Sequence, residues 1–410
     1  MQVRRFALSG ALSAVVLSVQ PAPQSGLPWW KGNTHTHSLW SDGDHYPEMV
    51  ALWYREHGYD FLVMTDHNPP PVPEERWVVV ASEGASREAY RAYRARFGGA
   101  WVEERRAGDT LRVRLKRLDE FRARVERPGR FVLLPGQEIT QYLGGRAAHM
   151  NALNLAEPVA PSDGATLREI FERNIAAVDS ARGAAASAVA LHLNHPNWLW
   201  SVTAEDLAVL DGLRLFERYN AHPAVNNEGD STHPGVGALW DVALARRLAR
   251  GAAPLYGVAT DDAHDYHRFG SGRRNPGRAW VMVRAAALTP GALMEALERG
   301  QFYASTGVVL DDVRLERRRI ALRIRAEPRV TYTTRFIGTR AGARPEIGEV
   351  LAEVQGAQPS YELRGDELYV RAEIVSSKLK ENPPTPGEYE TAWVQPFVFP
   401  GAGTPHSAPP

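Results

Sequence analysis

Short apolar runs alternate with longer stretches of helical periodicity along the first three quarters of the chain. Each apolar run spans four to eight residues, a length that predicts buried strands. The predicted strands are at 61–64, 131–134, 148–155, 188–193, 213–219, 255–259 and 280–283. The predicted helices are at 47–57, 166–181, 237–250 and 290–299. This alternation from residue 31 to about 305 is typical of a parallel sheet or an α/β barrel.

Two parts of the chain depart from this alternation. Residues 69–130 are a predicted insertion, which begins with PPPVP and continues into two Arg/Glu-rich helical stretches. It is interpreted as a surface excursion, with a lid over a site as the alternative. After about residue 306 the apolar period changes to two, as in half-buried antiparallel strands. Residues 307–400 are therefore predicted to form a small β-rich domain, and residues 401–410 a disordered tail.

The first 26 residues have the layout of a secretory signal. Arg4 and Arg5 precede an apolar run at 6–19, and a Pro/Ala/Ser-rich stretch follows. A disordered tail or a buried helix is the alternative. The run is shorter than the roughly 20 residues of a membrane-spanning helix. We therefore expect export to the periplasm or the extracellular space, without stable membrane insertion after the signal is cleaved.

Charge and cysteine content narrow the range of functions. The 48 basic and 48 acidic residues balance, which disfavours a nucleic-acid partner. Almost all of the basic residues are arginine, so a single arginine is not informative by type alone. The chain has no cysteine, and any metal site must use histidine and carboxylate side chains.

The densest cluster of candidate ligands is the segment GNTHTHSLWSDGD. His35 and His37 are two residues apart at the end of a predicted strand, so both imidazoles lie on the same face and can share an ion. Asp42 follows in a Ser-Asp-Gly turn that can return its carboxylate towards them. An isolated pair of this kind is equally compatible with a structural role.

Further polar side chains follow other predicted strands. DFLVMTDHN ends in Asp66 and His67, and the strand of FVLLPGQEIT is followed by Glu138. The remaining candidates are His149 in AAHMNALNL, His195 in ALHLNHPNW, and Asp262 and His264 in YGVATDDAHDYH. His149 taken alone would fit a core histidine. Together these positions predict convergence at the mouth of a barrel, where strand ends meet.

The other histidines have no comparable setting and are interpreted as structural. They are His45, His57, His192, His233, His267 and His406. His222, in LFERYNAHP, is the exception that could line the site.

The ordered set HxH, SDG, TDH, Glu, His, HP and DxH resembles the polymerase and histidinol phosphatase (PHP) superfamily over about residues 31–305. The resemblance implies α/β architecture in the form of a distorted (β/α)7 barrel with a trinuclear metal centre. It implies that a first metal is held by His35, His37, Glu138 and Asp262. Glu138 would bridge to a second, completed by His149 and His195, and a third would be held by Asp42, His67 and His264. His195 and Asp262 are chosen over His192 and Asp261 because HP and DxH are the family spellings.

Other phrases extend the resemblance to almost the whole mature chain. SDGDHYPEMV, GYDFLVMTDHN, ERYNAHPAVNNEGD, GRAWVMVRA, GQFYASTGV and AWVQPF are similar to the carbaryl-hydrolase-like (CehA/McbA) branch. Members of that branch are exported proteins with extra sequence after the barrel.

Nine ligands for three ions leave coordination positions open for water and substrate, which favours catalysis over a closed structural site. Imidazole and carboxylate suit zinc, manganese or iron. The expected reaction is hydrolysis of a small phosphate ester by a metal-activated hydroxide, with His222 or a bound water protonating the leaving group. A carbamate, ester or amide carbonyl is the alternative electrophile. A non-catalytic metal- or glycan-binding module is the second alternative.

Candidate substrate contacts follow two of the motifs. Arg273, Arg274 and Arg278 lie on a Gly-rich loop after DxH and are candidates to clamp a phosphate, with surface exposure as the alternative for each. Arg218 and Asn220, together with Tyr219, follow another predicted strand. The expected partner is a small molecule. The sequence does not indicate the oligomeric state.

Overall fold

The computed structural model of the protein describes residues 26–68, 76–184, 188–342 and 345–399. The predicted signal sequence, the PPPVP run and the C-terminal tail lie outside these ranges and stay predictions. Within the described residues, no helix combines the length and apolar character needed to cross a bilayer.

The described residues contain seven α-helices, one short 3-10 helix and nineteen strands. The α-helices are α1 Pro47–Glu56, α2 Ala85–Phe97, α3 Leu118–Val125, α4 Leu167–Ala184, α5 Ala204–Val209, α6 Val236–Ala249 and α7 Pro290–Glu298, and the 3-10 helix is Trp198–Trp200. Strands of the first part are β1 Trp29–Asn33, β2 Phe61–Met64, β3 Trp77–Val80, β4 Glu104–Ala107, β5 Thr110–Arg114, β6 Val132–Leu143, β7 Arg146–Leu153, β8 Ala190–Leu193, β9 Leu215–Asn220, β10 Tyr256–Thr260 and β11 Trp280–Arg284. The later strands are β12 Phe302–Ser305, β13 Leu310–Glu316, β14 Arg319–Ile324, β15 Tyr332–Arg340, β16 Glu349–Gln355, β17 Ser360–Glu362, β18 Glu367–Leu379 and β19 Tyr389–Val398.

The seven predicted strands are confirmed as β2 and β6 to β11, and the four predicted helices as α1, α4, α6 and α7. The largest difference is β6, which continues to Leu143 because it forms a hairpin with β7. Gly144 and Gly145, at φ 58° and 79°, make the two-residue turn of this hairpin. At Gly136 a Cβ would lie 2.6 Å from a Val63 methyl group and 3.0 Å from the Ala152 carbonyl oxygen, so only glycine fits there.

Thirteen strands form one sheet in the order β10-β9-β8-β7-β6-β2-β1-β11-β12-β19-β18-β15-β16. β1, β2 and β6 are parallel neighbours, as are β8, β9 and β10. β7 runs antiparallel to both of its neighbours, and β11 runs antiparallel to β1. Every residue of β2 and β10 is buried, as expected for strands covered on both faces. The protein is therefore a mixed α/β fold with a large, only partly parallel sheet.

Backbone hydrogen bonds join the chain beyond β1 to the chain beyond β10. The Asp262 amide donates to the His35 carbonyl at 3.1 Å, and the His37 amide donates to the Ala263 carbonyl at 2.9 Å. These bonds bring the ends of two strands that are far apart in the sheet order to the same place. The expected (β/α)7 barrel stays a prediction.

The insertion contains the two predicted helices, α2 and α3, and a three-stranded sheet in the order β3-β5-β4 that the sequence did not predict. Its apolar cluster packs on the segment that carries Asp42, where Tyr46 and Tyr93 stack with ring centroids 4.1 Å apart. The Trp40 indole donates to the Lys116 carbonyl at 3.0 Å. The described part of the insertion thus supports this loop.

Residues 310–398 form strands only, which confirms the predicted β-rich character of this part of the described chain. β13, β14 and β17 make a separate three-stranded sheet, while β15, β16, β18 and β19 continue the main sheet through β12. Both sets contribute to one apolar cluster around Phe336, Tyr361 and Val370. The domain boundary at residue 307 stays a prediction, since the sheet continues across it. We refer to β13–β19 as the C-terminal β unit.

Buried polar contacts attach the C-terminal β unit to the first part of the chain. Arg371 of β18 makes a bidentate pair with Asp241 of α6, at 2.8 and 2.6 Å, and the Tyr369 hydroxyl donates to the same carboxylate at 2.8 Å. The Gln395 side chain exchanges two hydrogen bonds, each 2.8 Å, with the backbone of Gly257 in β10. These contacts fix β18 against α6 and β19 against β10.

Asp241→Ala is expected to lower the free energy of unfolding by about 3–5 kcal/mol, because it leaves the Arg371 guanidinium buried without its counter-ion. Urea denaturation followed by circular dichroism measures this change. Arg335→Ala removes an exposed pair with Glu353 (2.9 Å) and serves as the control, with a loss below about 1 kcal/mol. Equal losses in both variants would contradict the importance of the buried pair.

Candidate metal centre

His35 and His37 follow β1, and both side chains are buried. The Nε2 atom of His35 lies 3.2 Å from Glu138 Oε2 and 3.3 Å from Asp262 Oδ1. The Nε2 atom of His37 lies 3.3 and 3.1 Å from the same two oxygens. The spacing of two residues thus turns both imidazoles towards the same pair of carboxylates, as the sequence predicted.

Glu138, on β6, is the common neighbour of histidines from several elements. Its Oε2 lies 3.0 Å from His67 Nδ1, and its Oε1 lies 2.9 Å from His149 Nδ1 and 3.4 Å from His195 Nε2. The Asn194 amide donates to Oε1 at 2.9 Å. Burial alone would raise the pKa of Glu138, but the facing histidines, above all His67, hold this pKa well below its usual range. The carboxylate is therefore ionised.

A second group of ligand atoms surrounds Asp42 at the outer side of the site. Asp42 lies 3.5 Å from His37 Nδ1, 3.7 Å from His67 Nε2 and 3.3 Å from His264 Nε2. Its side chain is half exposed. The buried Asp66 carboxylate shapes the preceding loop, since it accepts bonds from the Ser38 amide (2.8 Å) and from the Ser38 and Ser41 hydroxyl groups.

The site contains three sets of residues. Within each set, the ligand atoms lie within 4.8 Å of one another, a spacing at which side chains can share a cation. The sets are His37, Asp42, His67 and His264, then His35, His37 and Glu138, and then His67, Glu138 and His149. The predicted grouping placed His37 only with the first metal and His67 only with the third, whereas each belongs to two sets here. Seven of the nine predicted ligands nevertheless line one cavity, and His35 and His37 lie next to it, against Glu138 and Asp262.

The donor set fits divalent cations. The Nε2 atoms of His37 and His149 are buried and have no hydrogen-bond partner among the described residues. A buried polar atom in that state is rare and costly, and a metal ion would satisfy it. Burial, reinforced by His264, lowers the pKa of His37 to about 3, so this imidazole is neutral at pH 7, as a metal ligand requires.

The backbone is strained at two of the predicted ligands. His195 and Asp262 adopt φ values of 24° and 49°, in the region that side chains other than glycine rarely occupy. Such conformations cost about 1–3 kcal/mol each and are concentrated at functional sites. Here the strain accompanies two side chains that face Glu138 and the HxH pair.

Glu217, on β9, is a supporting residue that the sequence analysis missed. Its carboxylate accepts from His35 Nδ1 at 2.6 Å, from the His195 amide at 2.7 Å and from the Thr260 hydroxyl at 2.7 Å. Burial opposes ionisation, but His35 lowers the pKa of Glu217 to about 2. The bond to Nδ1 turns Nε2 of His35 towards the other ligands, as carboxylates behind metal-binding histidines do. The sequence signal that could have identified Glu217 is an acidic residue inside a strand whose other residues are buried.

The neighbouring alternatives His192 and Asp261 face elsewhere. Asp261 accepts bonds from the amides of Gly277, Arg278 and Ala279 at 2.8, 2.7 and 2.8 Å. His192 Nε2 lies 3.3 Å from the Thr34 carbonyl. Both residues therefore hold the backbone, and the choice of His195 and Asp262 agrees with the geometry.

Seven of the predicted ligands line a cavity of about 160 Å³. Its lining residues are Asp42, His67, Glu138, Tyr142, His149, His195, Trp198, His222, Val225, Asp262, His264 and Arg274. His222 is therefore at the cavity, as predicted. Its Nδ1 accepts from the Ala224 amide at 3.1 Å, which leaves the ring proton on Nε2. Burial lowers the pKa of His222 to about 4, so the ring is neutral at pH 7.

The predicted substrate contacts divide into two groups. Arg274 lines the cavity, and the Asn220 amide donates to Asp262 at 3.1 Å. Arg218 does not line the cavity, and its buried side chain packs against Glu373 at 3.4 Å. The structure therefore does not place this residue as a substrate contact.

Arg273 and Arg278 also lie outside the cavity lining. Arg273 is exposed and lies outside the cavity lining, whereas Arg278 is buried among backbone carbonyl groups and does not reach the cavity. The structure therefore does not bring the three arginines together as a clamp, and Arg274 is the member of the predicted set that lines the cavity.

The chain is only weakly similar to known proteins. No protein-family model and no curated protein matches the chain. A two-domain protein from Bacteroides vulgatus ATCC 8482, containing a predicted PHP-like metal-dependent phosphoesterase, is 14% identical with a TM-score of 0.39, and the match covers 90% of this chain and 96% of that one. A protein from Bifidobacterium adolescentis ATCC 15703, described as a metal-dependent phosphoesterase, is 15% identical with a TM-score of 0.33, over 67% of this chain and 97% of that one. At this level neither structure assigns a function.

His149→Ala and Asp262→Ala are expected to lower the metal content of the purified protein by at least one ion per chain. His149 completes the set with His67 and Glu138, and Asp262 is the carboxylate that faces both imidazoles of the HxH pair together with Glu138. Inductively coupled plasma mass spectrometry measures the content. His57→Ala is the control, since His57 stacks on Trp53 at 3.8 Å, away from the cavity. The ligand assignment fails if the control loses as much metal as the two variants.

Metal affinity is expected to rise with pH up to about pH 9. Burial opposes protonation of His67, but Glu138 and Asp42 raise the pKa of His67 in the metal-free protein to about 9. A cation must displace that proton, so affinity changes about tenfold per pH unit for each displaced proton. Calorimetric titration with Zn²⁺ in buffers of different ionisation enthalpy measures the release. A binding enthalpy that is independent of the buffer would contradict this.

Proposed function

We propose that the chain is a divalent-metal-dependent hydrolase of the PHP type, acting on a small phosphate ester. One observation carries the proposal. Six imidazoles and three carboxylates from separate elements converge at one site, where seven of the nine line the cavity and two buried imidazole nitrogens form no hydrogen bond among the described residues. The proposed cofactors are two or three ions of zinc, manganese or iron, which this donor set suits.

The residues of the chain have separable roles in this proposal. His35, His37 and Glu138 hold the inner part of the centre, and Asp42 and His264 hold the outer part. Divalent ions in these positions would supply Lewis acidity and activate water for attack. Glu217 keeps the His35 ring in its ligating orientation through the 2.6 Å bond to Nδ1. The strained turn at Asp262 keeps its carboxylate opposite the HxH pair.

Arg274 and His222 give the mouth of the cavity its preference for an anion. The Arg274 guanidinium lies 3.9 Å from Asp42 Oδ2 and 3.2 Å from Asp265 Oδ1, so it is held at the rim. A guanidinium there can meet phosphate oxygens with two parallel hydrogen bonds. The neutral His222 ring can donate a hydrogen bond from Nε2 to a leaving-group oxygen, and the proton that this oxygen takes up comes from water. A volume of about 160 Å³ admits the reacting group, while the rest of the substrate extends outward.

The finer family and fold assignments belong to the same proposal. We place the chain near the carbaryl-hydrolase-like branch of the PHP superfamily on the motifs it contains. The distorted (β/α)7 barrel would comprise β1, β2 and β6 to β10, and the hydrogen bonds from His37 and Asp262 between strand ends support it. The layout of residues 1–26 supports export to the periplasm or beyond.

A carbonyl substrate is the second candidate. Tyr142, Trp198 and Val225 are the apolar residues of the cavity lining, and Tyr142 is half exposed. The Tyr142 and Trp198 rings lie edge to face with centroids 6.3 Å apart. An aromatic wall suits the uncharged body of a carbamate or carboxylic ester. Such a substrate would use the same metal centre, with the carbonyl oxygen in place of a phosphoryl oxygen.

The experiment is a comparison of turnover by the metal-loaded protein on p-nitrophenyl phosphate, bis-p-nitrophenyl phosphate and a naphthyl carbamate. Phosphate-ester turnover that disappears with a chelator and returns with Zn²⁺ or Mn²⁺ supports the proposal. Turnover of the carbamate alone replaces it with the second candidate. Stoichiometric metal binding without any turnover would indicate a binding module and would overturn both.

Arg274→Ala is expected to raise KM for the phosphate ester by about 10- to 100-fold, the loss of a charge-assisted bidentate contact. Turnover of a neutral carbamate, if present, changes little in this variant. Arg273→Ala is the matched control because its exposed side chain lies next in sequence but outside the cavity lining. Steady-state kinetics at fixed metal content distinguish the two. Equal KM values for both variants and the wild type contradict the assigned role of Arg274.

A further inference from the structure

Arg278 is buried behind the cavity and binds neutral oxygens. Its hydrogen-bond acceptors are the backbone carbonyls of Ala221, Gly270, Arg273 and Asn382 and the side-chain amide oxygens of Asn275 and Asn382. The shortest bonds with normal geometry are Nε to the Asn382 carbonyl at 2.7 Å and Nη2 to the Gly270 carbonyl at 2.8 Å. The guanidinium therefore joins three segments that are far apart in sequence.

The first segment is the loop at 265–275. Asn275, fully buried, donates to the carbonyls of Asp265 and Arg268 at 2.8 Å each and accepts from the Gly270 amide at 2.9 Å. Arg278 adds bonds to the Gly270 and Arg273 carbonyls. These contacts fix the loop across its whole width.

That loop reaches the candidate metal centre at two points. The Arg274 carbonyl accepts from the amides of His264 and Asp265 at 2.8 and 2.9 Å, which supports the backbone of a predicted ligand. The Arg274 side chain lines the cavity. The second segment held by Arg278 ends at Ala221, the residue directly before His222. The Ala221 carbonyl oxygen lies 3.4 Å from Arg278 Nη1.

The third segment belongs to the C-terminal β unit. Asn382 lies in the connection between β18 and β19, and its side-chain amide also donates to Asn275 at 3.3 Å. The Gly272 amide donates to the Pro384 carbonyl at 3.1 Å in the same connection. The connection is itself attached to β9, since the Tyr219 hydroxyl donates to Glu388 at 2.7 Å. Loop 265–275 is thus held from outside the part of the chain that bears the ligands.

We infer that Arg278 is a positioning residue, which holds Arg274 and His222 at the mouth of the cavity, and that Asn382 of the C-terminal β unit completes this arrangement. The inference rests on the proposed function for the roles of Arg274 and His222. A planar guanidinium with five donors can bind several carbonyls at fixed angles at once, whereas an ammonium cannot. Arg278→Lys should therefore restore only part of what Arg278→Ala loses.

The test compares Arg278→Ala, Arg278→Lys and Asn382→Ala with the wild-type protein in the metal-loaded state. Hydrogen–deuterium exchange of peptides covering 264–275 is expected to accelerate about tenfold in Arg278→Ala, since several backbone contacts are lost. Asn382→Ala gives a smaller acceleration. In Arg278→Ala, the KM for p-nitrophenyl phosphate is expected to rise about tenfold while the metal content stays unchanged. Millimolar guanidinium should partly restore the wild-type KM.

Arg247→Ala is the matched control. Arg247 is also buried and also binds only carbonyls among its described contacts, those of Leu207, Leu210, Leu213 and Ala253, but it supports α6 away from the cavity. It should lower stability without changing exchange at 264–275 or KM.

Unchanged exchange at 264–275 in Arg278→Ala and Asn382→Ala would overturn the inference, as would equal effects from Arg247→Ala. If Arg278→Ala does not fold, Arg278→Lys and Asn382→Ala decide the question. Absence of turnover in the wild-type protein counts against the proposed function, while the exchange data still decide whether Arg278 positions the loop.

Discussion

The buried carboxylate of Glu138 is the constraint on which the site depends. Five imidazoles approach its two oxygens within 2.9 to 3.4 Å, with almost no solvent to screen the charge. A buried carboxylate needs positive charge nearby, yet burial also disfavours the protonated forms of the surrounding rings. Divalent cations between the rings would satisfy both demands. The arrangement of ligands is thus explained better by bound metal than by protein contacts alone.

The architecture around this carboxylate distributes support over distant parts of the chain. Glu217 of β9 orients His35, and Asp66 shapes the loop that carries Asp42. The insertion packs behind that loop. On the other side, Arg278 and Asn382 connect the cavity rim to the C-terminal β unit. The C-terminal strands continue the main sheet, so they act as part of the scaffold of the site.

Sequence patterns predicted most of the inner site because most of its residues directly follow short strands. The period of two placed His35 and His37 together, and the end of β10 placed Asp262 opposite them. Glu138 and His149 instead lie inside the β6–β7 hairpin, which the sequence did not predict. The positions of the arginines could not be read in the same way. Arg218 lies at an irregularity in the β9–β10 pairing and packs against Glu373, and Arg278 binds carbonyls whose positions depend on tertiary structure, including one 104 residues later. The continuity of the sheet into β18 and β19 likewise leaves no local signal.

Anomalous X-ray diffraction from crystals of the metal-loaded protein, collected on both sides of the absorption edge of the bound element, shows whether divalent ions occupy this cluster of ligands. Peaks are expected between the HxH pair, Glu138 and Asp262, with one about 2.0–2.2 Å from His37 Nε2. A second peak is expected near His149 Nε2. If anomalous density is absent from the cavity, or confined to surface carboxylates, the buried ligands do not form a metal centre.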